Sequence, residues 1–192
     1  VIDDEFLQAT KTLHDFAPHF HLSLQSGSDK VLKSMNRHYT TNEYKKAVES
    51  IRSYYPSAAI TTDVIVGYST ETDECFKESF EFIKEIGFAD IHCFPYSVRK
   101  GTVGAKLKPL DEEVKKQRLK TMLVLKEELK KSYTEKFVGR RLQMIVEEET
   151  DGYCVGYSEN YIRLYVKRKI DGKKSVVAKE LFKDGLLAEP ID

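Results

Sequence analysis

Three short polar segments carry the side chains best suited to chemistry, and each follows an apolar run. Gln25-Ser26-Gly27-Ser28-Asp29 follows HFHLSL (19–24), Gly67-Tyr68-Ser69-Thr70-Glu71-Thr72 follows AAITTDVIV (58–66), and Tyr96-Ser97-Val98-Arg99-Lys100-Gly101-Thr102 follows ADIHCFP (89–95). Gln25 and Ser26 offer hydrogen bonds to a hydroxylated ligand. Ser28 and Asp29 stand at a predicted helix start, where free N–H groups welcome a small or anionic group; an ordinary strand-to-helix turn would use the same residues. Asp63 interrupts an apolar run between Thr62 and Val64. A carboxylate in such a place is paired or ligand-bound, so Asp63 either lines a site or meets a nearby Lys or Arg. Strand alternation puts Thr61, Asp63 and Ile65 on one face and Thr62, Val64 and Val66 on the other. Arg99 brings a planar donor fork suited to carboxylate or phosphate, although a solvated basic loop fits it too. His21 and His92 read as satisfied core or edge histidines ahead of catalytic bases.

These segments must be positioned by the elements between them. Asp3 or Asp4 starts a helix over 3–16 with Phe6, Leu7, Leu13 and Phe16 at helical spacing, ended by Pro18. Ser28 caps a short helix, and Thr40 or Thr41 caps a longer one through Tyr55. AAITTDVIVG, rich in β-branched residues, is the strongest strand. Thr72 caps a helix with Phe76, Phe80, Ile83 and Ile86 on one face, and Gly87 stands just past its end. Helices alternating with strands imply right-handed βαβ units and a parallel sheet, whose ligands sit at the carboxyl ends of the strands. A long charged helix spans 111–137, with Val114, Leu119, Met122, Leu123, Leu125 and Leu129 as its packing stripe.

After Gly139 the period shortens to two. LQMIVEEE, YCVGYS, YIRLYVKRKI and KKSVVAKEL read as short strands, with turns at Asp151-Gly152 and Asp171-Gly172. They predict a small, closed or nearly closed β-barrel. Arg163, Lys167, Arg168, Lys169, Lys173 and Lys174 are interleaved with Tyr161 and Tyr165. That mixture suits RNA phosphates and stacked bases, or a lysine-protected sheet edge.

Composition adds bounds. The 192 residues carry 31 Lys+Arg and 31 Asp+Glu, so any basic surface is local. With 41% hydrophobic residues the chain affords a sizeable core. No apolar run approaches the ~18 residues of a membrane helix, and the opening resembles no signal or transit peptide, so no membrane partner and a cytoplasmic setting are expected. Cys75, Cys93 and Cys154 have no metal-motif spacing and read as packing or surface thiols. The first residue, Val1 rather than Met, suggests a piece of a longer protein.

The segments HLSLQSGSDKVLKSMNRHYT, AAITTDVIVGYSTETDE and FPYSVRKGT, in that order, resemble the second half of the radical S-adenosylmethionine domain of tRNA methylthiotransferases. The tail FVGRRLQMIVEEETDGYCVGYSENYIRLYV resembles their TRAM module. The GYSENYI tail is most similar to the branch acting on threonylcarbamoyladenosine next to the anticodon; the isopentenyladenosine and ribosomal-protein branches are its rivals. The resemblance implies an α/β chain: the C-terminal half of a partial (β/α) radical S-adenosylmethionine barrel over 1–138, then a small all-β, OB-like TRAM barrel over 139–192. It implies S-adenosylmethionine at Gln25, Ser26, Asp63 and Arg99. It implies tRNA contact through the TRAM residues Asn160, Tyr161 and Arg163, to which the basic hairpin adds Lys167. It also implies 4Fe–4S clusters in the parent protein. The family's closely spaced cluster cysteines have no counterpart in this sequence, so the chain alone is expected to be inactive. Where the family shows Gly-Phe-Pro-Gly-Glu-Thr, this chain has Gly67-Tyr68-Ser69-Thr70-Glu71-Thr72, which predicts a looser loop. Half a parallel barrel also exposes sheet edges, predicting a homo-oligomer. A stand-alone RNA-binding module is the alternative from another functional class.

Overall fold

The structure, a computed structural model, describes residues 2–191. Its first part is a three-stranded parallel sheet in the order β1 (His19–His21), β2 (Ala59–Val66), β3 (Asp90–Pro95). Helices α1 (Asp4–Lys11), α2 (Asp29–Ser34), α3 (Thr41–Tyr54), α4 (Asp73–Ile86) and α5 (Glu112–Glu135) complete it. The caps follow local chemistry. Asp3 accepts from Phe6 N at the head of α1. Thr40 and Glu43 form a reciprocal capping box on α3. Thr72 caps α4, which ends at Gly87. Ser28 occupies the N-cap position of α2 but makes no side-chain cap bond; its hydroxyl donates to Glu78 Oε2 at 2.7 Å instead.

One face of the sheet is packed by Ile60, Val64 and Val66 against Val48, Ile51, Ile83, Met122 and Leu125. The other face carries His21, Asp63, Ile65, His92 and Phe94 and is largely open, with Phe94 50% exposed. Lateral register pairs Asp63 with His92 and Ile65 with Phe94.

Three expectations for this first part need correction. The first helix stops at Lys11 instead of reaching residue 16, leaving Leu13 exposed. The chain turns away early, so that Phe16 packs on Phe20 and Tyr55 with ring centroids 5.7 and 5.4 Å apart. In α5, Val114 and Leu123 are not part of the buried stripe. The 3.6-residue period puts Lys115, Arg118, Met122, Leu125 and Tyr133 on the inward face and displaces 114 and 123 to its flanks. Finally, the apolar run 19–24, expected to be one strand, is a strand only over His19–His21, although the chain meets β2 again at Gln25, whose backbone bridges to Val64.

The second part is a closed five-stranded barrel of β4 (Arg141–Thr150), β5 (Tyr153–Ser158), β6 (Arg163–Val166), β7 (Lys173–Phe182) and β8 (Gly185–Pro190), in the order β4-β5-β6-β8-β7. The strand predicted across 161–170 shrinks to four residues. The closing strand β8, absent from the sequence reading, pairs parallel to β6 and antiparallel to β7. Its interior is filled by Leu142, Met144, Leu164, Val166, Val176 and Leu186. Ala59, Ala89, Tyr133 and Phe137 of the first part join that core, so the barrel is seated beneath the sheet.

Candidate functional site

At the carboxyl ends of the strands lies a cavity of about 670 Å³, within the usual range for a small-molecule site. Gln25 and Arg99, from the segments that follow β1 and β3, and Asp63, from within β2, line it together. The fourth expected residue, Ser26, is fully buried outside that lining and accepts from Ser28 N at 3.2 Å. Its role is to hold the turn after Gln25.

Gln25 has φ 68 although it is not glycine. Its N–H donates to Asp63 O and its carbonyl accepts from Ile65 N, at 2.8 and 2.9 Å. These two ladder bonds hold it in a conformation that costs about 1–3 kcal/mol, the kind of strain found at ligand sites. Asp63 is about one-third exposed on the open face. His21 Nε2 lies 3.3 Å and Ser23 Oγ 3.4 Å from its Oδ2. Thr61 Oγ1 meets both His19 Nε2 (2.9 Å) and His21 Nδ1 (3.1 Å). The histidines thus orient the polar floor below the cavity, and of the two alternatives for Asp63 the structure has it line the cavity, beside His21 and not a Lys or Arg. Arg99 is exposed at the rim, and Arg37 lines the same space. The cavity therefore presents one carboxylate and two guanidinium forks, which suits a zwitterionic ligand.

Tyr68 and Tyr96 stand edge to face at 4.7 Å. The Tyr96 hydroxyl is buried without a partner among the described residues. Gly104 passes so close that a Cβ there would lie 2.3 Å from that hydroxyl. A buried donor in a cavity wall is a binding feature that strand patterning did not reveal.

The loop 67–72 is tighter than its lost proline predicted. Glu71, 2% exposed, accepts from Gly67 N at 2.8 Å and from Arg118 Nη1 at 2.7 Å. Arg118 also reaches the Glu71 carbonyl and Asp73. Burial pushes the Glu71 carboxyl up, while the Gly67 N–H and Arg118 pull it down. Gly67, at φ 74, admits no side chain, because a Cβ would lie 2.5 Å from Lys115 Cγ. No sequence signal linked Glu71 to Arg118 across 47 positions.

The barrel residues separate into different roles. Asn160 is buried and donates through Nδ2 to Ser57 O at 2.7 Å. Tyr133 OH reaches Ser57 O and Asn160 O at 3.2 and 3.1 Å. Asn160 thus serves the seam between barrel and sheet, and its amide faces inward. Tyr161, at φ 58 and 41% exposed, stacks with His19 (4.0 Å, 14°) and Tyr157 (5.2 Å, 19°). Arg163 is tied to Glu148 and Asp184 and lies over Tyr165. Lys167 is exposed beside Tyr153 and Lys169.

None of the three cysteines lines the cavity. Cys75 is in α4, Cys154 is in the barrel, and Cys93 packs with the helix-side core. Burial pushes the Cys93 thiol up to about 11. Among the described residues no group of three or more His, Cys, Asp or Glu is arranged to hold a metal ion. The side chains at the cavity therefore fit S-adenosylmethionine but do not fit an iron–sulfur cluster.

Residues 1–83 match the family model of the Radical SAM superfamily. The chain is 42% identical over 176 residues to the threonylcarbamoyladenosine tRNA methylthiotransferase MtaB of Aquifex aeolicus, covering 91% of this chain and 41% of that protein. It is 35% identical over 190 residues to the MtaB of Bacillus subtilis, covering 96% and 42%. The tRNA-2-methylthio-N(6)-dimethylallyladenosine synthase of Oceanobacillus iheyensis is 38% identical over 161 residues, covering 82% and 31%. The chain is thus homologous to MtaB-type methylthiotransferases and spans about two fifths of the length of the two MtaB proteins.

Proposed function

We propose that this chain is part of a tRNA methylthiotransferase acting on threonylcarbamoyladenosine next to the anticodon. The parts would be the second half of a radical S-adenosylmethionine barrel and, from Gly139 onward, a TRAM barrel. The observation that carries the reading is the convergence of Gln25, Asp63 and Arg99 on one cavity at the strand ends, in a chain collinear with MtaB proteins over nine tenths of its length.

S-adenosylmethionine, when bound in the parent enzyme, supplies a carbon radical and the methyl group. The residues here bind and orient it. Arg99, with Arg37, offers its carboxylate a planar fork. Asp63, held by His21 and Ser23, would attract its cationic and hydroxyl groups. Gln25 hydrogen-bonds its polar parts across the strained turn, which Ser26 supports. Tyr68 and Tyr96 exclude water from one wall. The cavity lining contains no cysteine to hold an iron–sulfur cluster. The tRNA would meet the barrel at Tyr161, Arg163 and Lys167, with Asn160 holding the Tyr161 loop in position. In isolation the chain, a cytoplasmic protein on this reading, would pair its open sheet edge with a second copy.

The test replaces the matching segment of the Bacillus subtilis relative with this chain and analyses tRNA nucleosides by mass spectrometry. Methylthiolated threonylcarbamoyladenosine is expected, and Asp63→Asn in the chimera should abolish it while the protein still folds. A folded chimera that methylthiolates only isopentenyl-type adenosine would support the second reading, which the similarity to the Oceanobacillus protein favours. A folded chimera that binds tRNA but modifies neither base would favour a stand-alone RNA-binding module.

A further inference from the structure

Beneath the sheet, at the opposite end from the cavity, a cleft of about 390 Å³ opens where α3, α4 and α5 end near the barrel. Arg52, Lys136 and Arg140 line it. Arg52 is half-buried and spends one guanidinium bond on the Gly87 carbonyl, at 2.9 Å. Arg140 spends one on Ser57 Oγ at 3.2 Å and lies over the Phe137 ring. Lys136 is exposed, and none of the three has a carboxylate partner among the described residues. The one carboxylate in the lining, Glu85, is committed to Lys45. Most donors of two arginine forks therefore lack acceptors, and burial already pushes the Arg52 guanidinium down. Arg52, the partly desolvated member of the three, gains most from an anion that joins it, and the exposed Lys136 and Arg140 add to the local positive field.

We infer that this cleft, through Arg52, Lys136 and Arg140, binds backbone phosphate of an RNA. Phosphate matches the arginine fork in two-pronged geometry, and a nucleic-acid strand presents successive anions to three separate cations. A single carboxylate would satisfy only one fork. Asp63 of the cavity lies five residues along the strand from Ala58 of the cleft, a span of roughly 16 Å at 3.3 Å per residue. One nucleotide cannot reach both, so the cleft takes backbone remote from the base being modified. The inference rests on the tRNA reading above and adds to it a grip outside the barrel.

The experiment titrates the chain with unfractionated tRNA over a range of salt concentrations, comparing it with K136Q/R140Q. The charge-matched control is K116Q/K120Q, which removes two exposed lysines elsewhere on α5. The cleft variant should bind about three- to tenfold more weakly at low salt, with a slope of log K against log salt smaller by about one to two. The control should keep the parental slope, and both should keep the parental melting temperature. Should K136Q/R140Q lose stability, R140K, which keeps the charge but not the fork, replaces it and must still weaken binding. An unchanged slope in the cleft variant overturns the inference while leaving the tRNA reading intact. Absence of tRNA binding by the unsubstituted chain overturns both. Inorganic pyrophosphate is titrated in parallel: binding that K136Q/R140Q abolishes, with an unchanged tRNA slope, would mark a small phosphorylated ligand and overturn the RNA assignment.

Discussion

Arg118→Met tests how the cavity loop is held. Arg118 and Glu71 are 6% and 2% exposed, and two bonds from Arg118 Nη1 end on Glu71. The second carboxylate, Asp73, is 92% exposed in its side chain and adds little. Methionine fills the volume but leaves Glu71 with one N–H donor, that of Gly67. Removing one partner of a buried pair costs about 3–5 kcal/mol, which is the loss expected in urea unfolding at pH 7.5. The pH dependence has a definite sign. Burial already raises the Glu71 carboxyl and Arg118 opposes that rise. Without Arg118 the folded-state value climbs further, so the folded protein takes up its proton more readily than the unfolded chain. The deficit relative to the parent should therefore shrink on acidification to pH 5.5. E71Q/R118M should recover most of the loss, since neither charge of the pair then remains. S-adenosylmethionine binding should also weaken in R118M, because Glu71 anchors Gly67 and Tyr68 follows it into the cavity wall. A loss below about 1 kcal/mol, or a double variant as unstable as the single, would refute the reasoning.

Asn160→Ala deletes the buried bond to Ser57 and should cost about 1–2 kcal/mol, with proteolysis between sheet and barrel accelerated; an unchanged unfolding midpoint would count against the seam. Gly67→Ala combines φ 74 with a clash against Lys115 and should cost about 1–3 kcal/mol, measurable by thermal melting. His19 is held below its ordinary value by burial and by His21, so its folded form resists protonation. Its contribution is complete above the unfolded value near 6.5 and fades as pH falls below it. His19→Phe, which keeps a ring against Tyr161, should flatten the stability curve between pH 7 and 5, and a parallel curve would exclude that role.

Much of the cavity was legible because its signals are local. Strand alternation assigned Asp63 to the open face, and the strand-to-loop boundaries brought Gln25 and Arg99 to the same end of the sheet. Asp151-Gly152, with both residues at positive φ, turned the first hairpin of the barrel as its composition predicted. The remainder depended on partners far away in the chain. Asn160 looked like an exposed loop residue because nothing near it announces Ser57, 103 positions earlier. Lys115 and Arg118 looked solvated because charge normally marks an outward helix face. The strand β8 escaped notice because GLLAEP closes the barrel beside β6 and β7 and carries little alternation of its own.

The sequence by itself determined the kinds of element, their order, the faces of the strands and the turns, since each follows from the period of apolar residues and the conformational limits of a few side chains. Tertiary structure alone decided which polar groups are spent on holding the protein together and which remain available. Glu71 is held by Arg118 and Asn160 by Ser57, whereas Arg52, Lys136 and Arg140 meet in a cleft whose one lining carboxylate, Glu85, is bound to Lys45. The physical reason is that a charge or amide acquires its energetic meaning from what lies within a few ångströms of it, and distance along the chain does not reveal those neighbours.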